Sequence, residues 1–190
     1  MEPAAISSAL AAFAKQELAG VIARGEGTQI YDRFVNGHAG APEESVQAPG
    51  PILYVFSWWQ PIIAFALNEL ERRSPRKSGR YANSFVVFVN GRRAHRGEEI
   101  PPNAEVVITN TQPYARKVQV GAMKMNVPPF LFDYAGSAVV RRFGATLISV
   151  QLKFLQLRGG YILKRSQGNR ADRQAGMPLT YPSLILNMKQ

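Results

Sequence analysis

The 190-residue chain carries 23 Lys and Arg against 13 Asp and Glu, a formal net charge of +10, so its surface is expected to attract nucleic acid, acidic proteins or anionic membranes. A hydrophobic content of 46 % excludes wholesale disorder and suits one domain over residues 1–190. The absence of cysteine excludes disulfides and thiolate metal sites, and His38 and His95 are the only imidazoles.

Residues Pro3 to Arg24 are expected to form a helix. Ile6, Leu10, Phe13, Ala14 and Val21 fall on one stripe, Glu17 interrupts it, and Gly25 and Gly27 stop it. Residues 1–27 thus read as an N-terminal helical arm. The segment TQIYDRFV (28–35) reads as a strand entering an Asn36-Gly37 hairpin turn, and 37–50 as a loop. From Ser45 to Asn68 the chain has no charged residue. A membrane span needs about 20 mainly apolar residues. Pro49, Gly50, Pro51, Gln60 and Pro61 interrupt this run, so we expect a buried strand at 51–56, then a buried helix, and no membrane partner.

That helix is expected over Ser57 to Arg73. Ser57 and Gln60 match a capping box, and Pro61 lies in the first turn, where its missing N–H costs little. Ile63, Leu67 and Leu70 recur at helical spacing, Arg72 and Arg73 suit the negative helix end, and Ser74-Pro75 breaks it. One of Trp58 and Trp59 is expected in the core.

SFVVFVN (84–90) and AEVVITN (104–110) read as strands flanking a polar loop. Phe34-Val35-Asn36-Gly37 and Phe88-Val89-Asn90-Gly91 repeat one strand-to-turn pattern, but their flanks differ, so we infer shared turn chemistry and no duplication. A third helix is expected over Leu131 to Phe143. Ile148, Val150, Leu152 and Phe154 then alternate with Ser149, Gln151 and Lys153, while Leu155 and Leu157 break the phase and suggest a bulge. Gly159-Gly160 should turn a hairpin into YILKR. Residues 166–178 read as a flexible basic loop, and 180–188 as a last strand in which Pro182 favours an edge position. The fold class is α+β: a mostly antiparallel sheet with two or three helices packed on it, plus extended loops and arms.

Three segments stand out. A helix end leads through Ser74-Pro75 and Ser78-Gly79-Arg80-Tyr81 into a strand. Asn110-Thr111-Gln112-Pro113-Tyr114-Ala115 follows, with Gly121 beyond it. Pro128-Pro129-Phe130-Leu131 then opens a helix. In this order and spacing they resemble the tail-completion and neck (head–tail connector) proteins of tailed bacteriophages, over residues 54–157. Ser-Pro-Arg-Lys-Ser-Gly stands where that family has Ala-Pro-Val-Asp-Thr-Gly, so a basic residue replaces an acidic one. The resemblance implies a structural virion protein that assembles into a ring and joins connector to tail. Its partners would be other copies of itself, portal or adaptor and tail-tube or tail-terminator proteins, and DNA in the channel. It would be assembled in the host cytoplasm and end in the virion neck or tail.

The residues read without that resemblance suggest no enzyme. There is no Walker-type loop, HExxH, GxSxG or cysteine nucleophile, and Glu43-Glu44 and Glu98-Glu99 read as exposed loop acids. No catalytic residue, cofactor or metal is expected. Arg72, Arg73, Arg76, Lys77 and Arg80 cluster before the strand at 84–90, and Arg92, Arg93 and Arg96 follow it. At ~3.3 Å per residue the two sets should sit about 20 Å apart, at opposite strand ends. They are candidate interface or DNA-facing residues, and the alternative function is a basic nucleic-acid-binding protein. Tyr81 alone is near them, so no base-stacking platform is expected.

Overall fold

Apolar periodicity places α1 at Pro3–Ala23, close to its expected bounds. Its shielded side is Ser7, Leu10, Ala11, Ala14, Leu18, Val21 and Ile22, whereas Ile6, Phe13 and Glu17 are exposed. The buried stripe is therefore rotated from the expected one. The helix is alanine-rich and apolar on most sides, so its pattern does not fix which side packs. This computed structural model describes residues 3–95, 97–166, 168, 171 and 173–189. It divides the chain into two compact units, residues 1–60 and 61–190.

In the first unit, β1 (Tyr31–Val35), β2 (His38–Ala39) and β3 (Ile52–Phe56) form an antiparallel sheet in the order β2-β1-β3. Asn36 and Gly37 both have positive φ, 49° and 81°, the backbone a two-residue hairpin requires. Leu10 and Ala11 of α1 pack with Val35, Ala41, Val46 and Ile52 in a small core. The loop at 37–50 holds β2 and a 3-10 turn at Glu43–Ser45. Lys15 on α1 is ion-paired with Glu44 of that turn.

The second unit carries all but the first two residues of α2 (Trp59–Arg72), which starts two residues later than expected. Trp59, Ile62, Ala66 and Leu70 are its fully buried side, and Trp58 is half-buried. Burying each of the large ones contributes roughly 1.5–3 kcal/mol. The uncharged run at 45–68 thus becomes β3 and the start of α2. No helix among the described residues is long and apolar enough to cross a membrane.

β4 (Phe85–Val89), β5 (Arg92–Arg93), β6 (Glu105–Asn110), β7 (Ile148–Gln156) and β8 (Thr180–Met188) make a five-stranded antiparallel sheet, ordered β5-β4-β6-β8-β7. The register puts Val87, Ile108, Leu184 and Leu152 in one row across a face, with Val89, Val106, Leu186 and Val150 in the next. α4 (Leu131–Phe143), with its expected bounds, lies on that face. A Cβ on Gly136 would stand 3.1 Å from Val150 Cγ1 and 3.2 Å from Leu184 Cδ2, so glycine sets how closely α4 approaches. α2 adjoins α4 through the edge-on rings of Phe65 and Phe143, 5.7 Å apart. The molecule is α+β with two antiparallel sheets.

Three local expectations are corrected. The β7–β8 ladder runs unbroken from Ile148↔Met188 to Gln156↔Thr180, so there is no bulge at Leu155, which simply pairs with Tyr181. Residues 161–163 bond to 177–179 and do not return along β7. β8 takes the place beside β7, between it and β6, where most of its residues are buried. Pro182 consequently does not lie on an edge strand. It sits one residue beyond the last β6–β8 pair, Thr109↔Ser183. Its carbonyl accepts from Thr109 Oγ1, and N and O of one strand residue point to the same side, so its missing donor falls where the β6 ladder has ended. A short helix, α3 (Ala115–Gln119), was not expected at all.

Candidate functional site

The three motif segments meet at one end of the larger sheet. Ser74 is buried at the end of α2, and its Oγ donates to the Leu70 carbonyl at 2.7 Å. Pro75 follows, and Gly79 takes φ +67°, a turn that Cβ-bearing residues resist. The chain then drives Tyr81 into the core, 2 % exposed and edge-on to Phe85 at 5.7 Å. Asn110, fully buried at the end of β6, joins the first segment to the second. Its Nδ2 donates to the Tyr81 carbonyl at 2.8 Å, and its Oδ1 accepts the Gln112 N–H at 3.0 Å. Tyr114 packs against Tyr81 with ring centres 5.9 Å apart. Pro113 is exposed and Ala115 is fully buried.

Gln119, at the end of α3, joins the second segment to the third. Its carbonyl accepts the Phe130 N–H at 2.8 Å, its Oε1 accepts the Phe132 N–H at 3.1 Å, and its Nε2 donates to Asp133. It supplies an acceptor to the exposed N–H groups of the first turn of α4, the work of an N-cap done from another element. Sequence reading missed Gln119 because a cap is normally sought beside its helix. Gly121 has φ +69°, and a Cβ there would come within 3.2 Å of Pro129. Phe130, at φ 65°, is half exposed.

The Tyr81 hydroxyl is buried with no hydrogen-bond partner, and burial first, with Tyr114 second, pushes its pKa up. The bonds of Asn110 and Gln119 tie the three segments into one junction. It is a hydrogen-bonded joint.

The basic residues divide by their partners. Arg72 reaches both oxygens of the nearly buried Glu69, at 3.0 and 2.9 Å. Arg73 lies 3.5 Å from the same carboxylate and over the Tyr134 ring at 5.0 Å. The Arg72 hydrogen bond, working against burial, holds the Glu69 carboxyl below its ordinary range. Arg76, Lys77, Ser78 and Arg80 are exposed. Arg72 and Arg76 border an open cleft of about 590 Å³ with Asn68, Glu71, Gly79 and Ala82. Arg92 and Arg93 form β5 at the far end of β4, so the two sets do lie at opposite strand ends. Arg92 is ion-paired with Glu98, and Arg93 is exposed. Arg96 lies outside the described residues, as do residues 167, 169, 170 and 172 of the expected loop. A third basic set, Arg116, Lys117 and Arg173, was missed because Arg173 is far in the chain from the other two.

Glu43 corrects the expectation of an exposed acid. It is 4 % exposed and accepts from Arg33 Nη1 at 2.7 Å and Tyr54 Oη at 2.9 Å. Burial pushes its carboxyl up, but its own backbone N–H, Tyr54 and Arg33 together outweigh that and hold it below the usual range. Burial and the bond to Glu43 push the Tyr54 hydroxyl up to about 12. Among the described residues no three His, Asp or Glu side chains come together as a metal site.

Large apolar side chains and a strand edge are exposed. In the first unit Phe13 (62 %), Ile30 (53 %), Leu53 (55 %) and Val55 (43 %) are exposed. Leu53 and Val55 alternate on the sheet face opposite the Val35–Ile52 core. In the second unit β7 is an edge strand of nine residues with Lys153 as its single charge. Such an edge is a template for strand addition. Comparison with family models, with curated proteins and with solved structures finds no match.

Proposed function

We propose that the chain is a structural subunit of the head–tail junction of a tailed bacteriophage, a neck or tail-completion protein that assembles into a ring and joins connector to tail. The observation that carries this reading is the meeting of the three family-like segments, 74–81, 110–121 and 129–131, in one joint held by Asn110 and Gln119. The nine-residue edge of β7 and the exposed apolar residues of the first unit are surfaces of the kind that ring neighbours cover. On this reading the residues act through shape and pairing and perform no catalysis.

Quantitative mass spectrometry of purified virus particles tests it, with copy number set against the portal. A fixed number of about six to twelve copies is expected of a closed ring. A chain found in infected cells and never in particles sinks the reading. If the lone subunit then binds duplex DNA tightly, with steep loss on adding salt, it is a basic nucleic-acid-binding protein instead.

A further inference from the structure

A second site lies beside the motif joint, in a pocket of about 240 Å³ lined by Pro113, Tyr114, Arg116, Lys117, Tyr161, Leu163, Arg173 and Leu179. Among the described residues of the lining three side chains are cationic, two are phenols and none is a carboxylate. The walls are held in place. Arg116 Nη1 donates to Thr180 Oγ1 at 2.6 Å, and its guanidinium lies over the Phe154 ring at 4.6 Å. The Tyr161 N–H donates to Tyr181 Oη at 3.1 Å, and its carbonyl accepts the Leu179 N–H at 2.8 Å. Arg173 is 8 % exposed, so its charge sits in a medium where fields are strong.

We propose that this pocket is a phosphate-binding site, holding one phosphate group that is either free or part of a nucleic-acid backbone. The attraction comes from three cationic side chains that line one pocket. A carboxylate offsets a single positive charge. A phosphate presents more acceptor oxygens and up to two charges to two guanidinium forks and a compact ammonium. The volume falls below the roughly 300–1,000 Å³ of pockets that enclose a whole small-molecule ligand. It suits a single phosphate group, and a sugar carried by a backbone phosphate would rest at the mouth on Pro113, Leu163 and Leu179. This goes beyond the assembly reading, and either can fail alone, because presence in particles does not require phosphate binding.

The test is an amide-shift titration of the full chain with inorganic phosphate at constant ionic strength, chloride replacing it in the control. Saturable shifts at Tyr114, Lys117 and Tyr161 are expected, absent with chloride. Lys117→Glu, on an exposed side chain, and Arg173→Gln should each weaken binding by about tenfold or more. If Arg173→Gln does not fold, Lys117→Glu still decides. A short duplex that shifts the same amides and is displaced by phosphate identifies a backbone phosphate. Phosphate saturation with no duplex response at those amides identifies a free one. Shifts that never saturate, or binding undiminished by Lys117→Glu, overturn the site.

Discussion

Asn110 is the residue on which the motif joint depends, and replacing it has a calculable cost. Asn110→Ala removes the bond to the Tyr81 carbonyl and the bond from the Gln112 N–H. The Tyr81 carbonyl keeps the Ser84 N–H at 3.1 Å, so it is weakened and not orphaned. The lost bond to Tyr81 at about 1 kcal/mol, and the part-buried Gln112 N–H left without its acceptor at about 1–2 kcal/mol, give a loss of about 2–3 kcal/mol. Asn110→Asp is more informative. The carboxylate keeps an acceptor for Gln112 but loses the donor, faces the Tyr81 carbonyl and has no solvent exposure. At neutral pH a buried charge without compensation costs about 3–5 kcal/mol. Burial raises the folded-state pKa of the new carboxyl above its unfolded value of about 3.9. Protonated, it donates to Tyr81 as the amide did. The deficit is therefore smallest below the unfolded value and grows as pH rises through the folded one. Urea unfolding followed by tryptophan fluorescence at pH 7 and pH 4 measures both variants. If Asn110→Asp loses less than about 0.5 kcal/mol at pH 7, a change typical of surface sites, the joint is not built as described.

Four further outcomes follow from single contacts. Tyr81→Phe removes a buried hydroxyl without a partner, so stability should be unchanged or rise by up to about 1 kcal/mol; a clear loss in urea midpoint would show that the hydroxyl is bonded. Gly136→Ala should be close to neutral in thermal unfolding, because a helix-propensity gain of about 1 kcal/mol offsets the tight approach to Val150 and Leu184. Gly136→Val should lose about 1–3 kcal/mol through overpacking, and equal Tm values for the two variants would refute that close approach. Glu43 has a lowered folded-state pKa, so its contribution is present above the ordinary glutamate value and lost as pH falls through the folded one. Glu43→Gln should therefore be less stable than wild type at pH 7 and less sensitive to acid below about pH 4, and parallel acid profiles by circular dichroism would contradict this. Phe13→Ser should change subunit stability by no more than about 0.5 kcal/mol, and on the proposed ring reading it should impair assembly in light scattering, whereas unaltered assembly would remove α1 from the proposed interface.

Much of the architecture was legible because it is written in local chemistry. The Asn36-Gly37 and Asn90-Gly91 turns, the bounds of α4 and the strands at 84–90, 104–110 and 180–188 each follow from periodicity and residues that permit positive φ. The opposite placement of the two basic sets followed from counting along one strand. What local chemistry leaves open is which elements meet. The alanine-rich α1 has no single side that composition marks for burial, so packing chose it. Pro182 looked like an edge residue until the early end of β6 left its missing donor without a partner to disappoint. Glu43 looked solvated until the fold brought Arg33 and Tyr54 to it. Gln119 became a cap, and Arg116, Lys117 and Arg173 became one pocket, only when the chain closed around them. Turns and periods depend on neighbours in sequence, and so a sequence by itself determines them. Buried polar joints and convergent charges depend on residues tens of positions apart, and only the tertiary structure decides those.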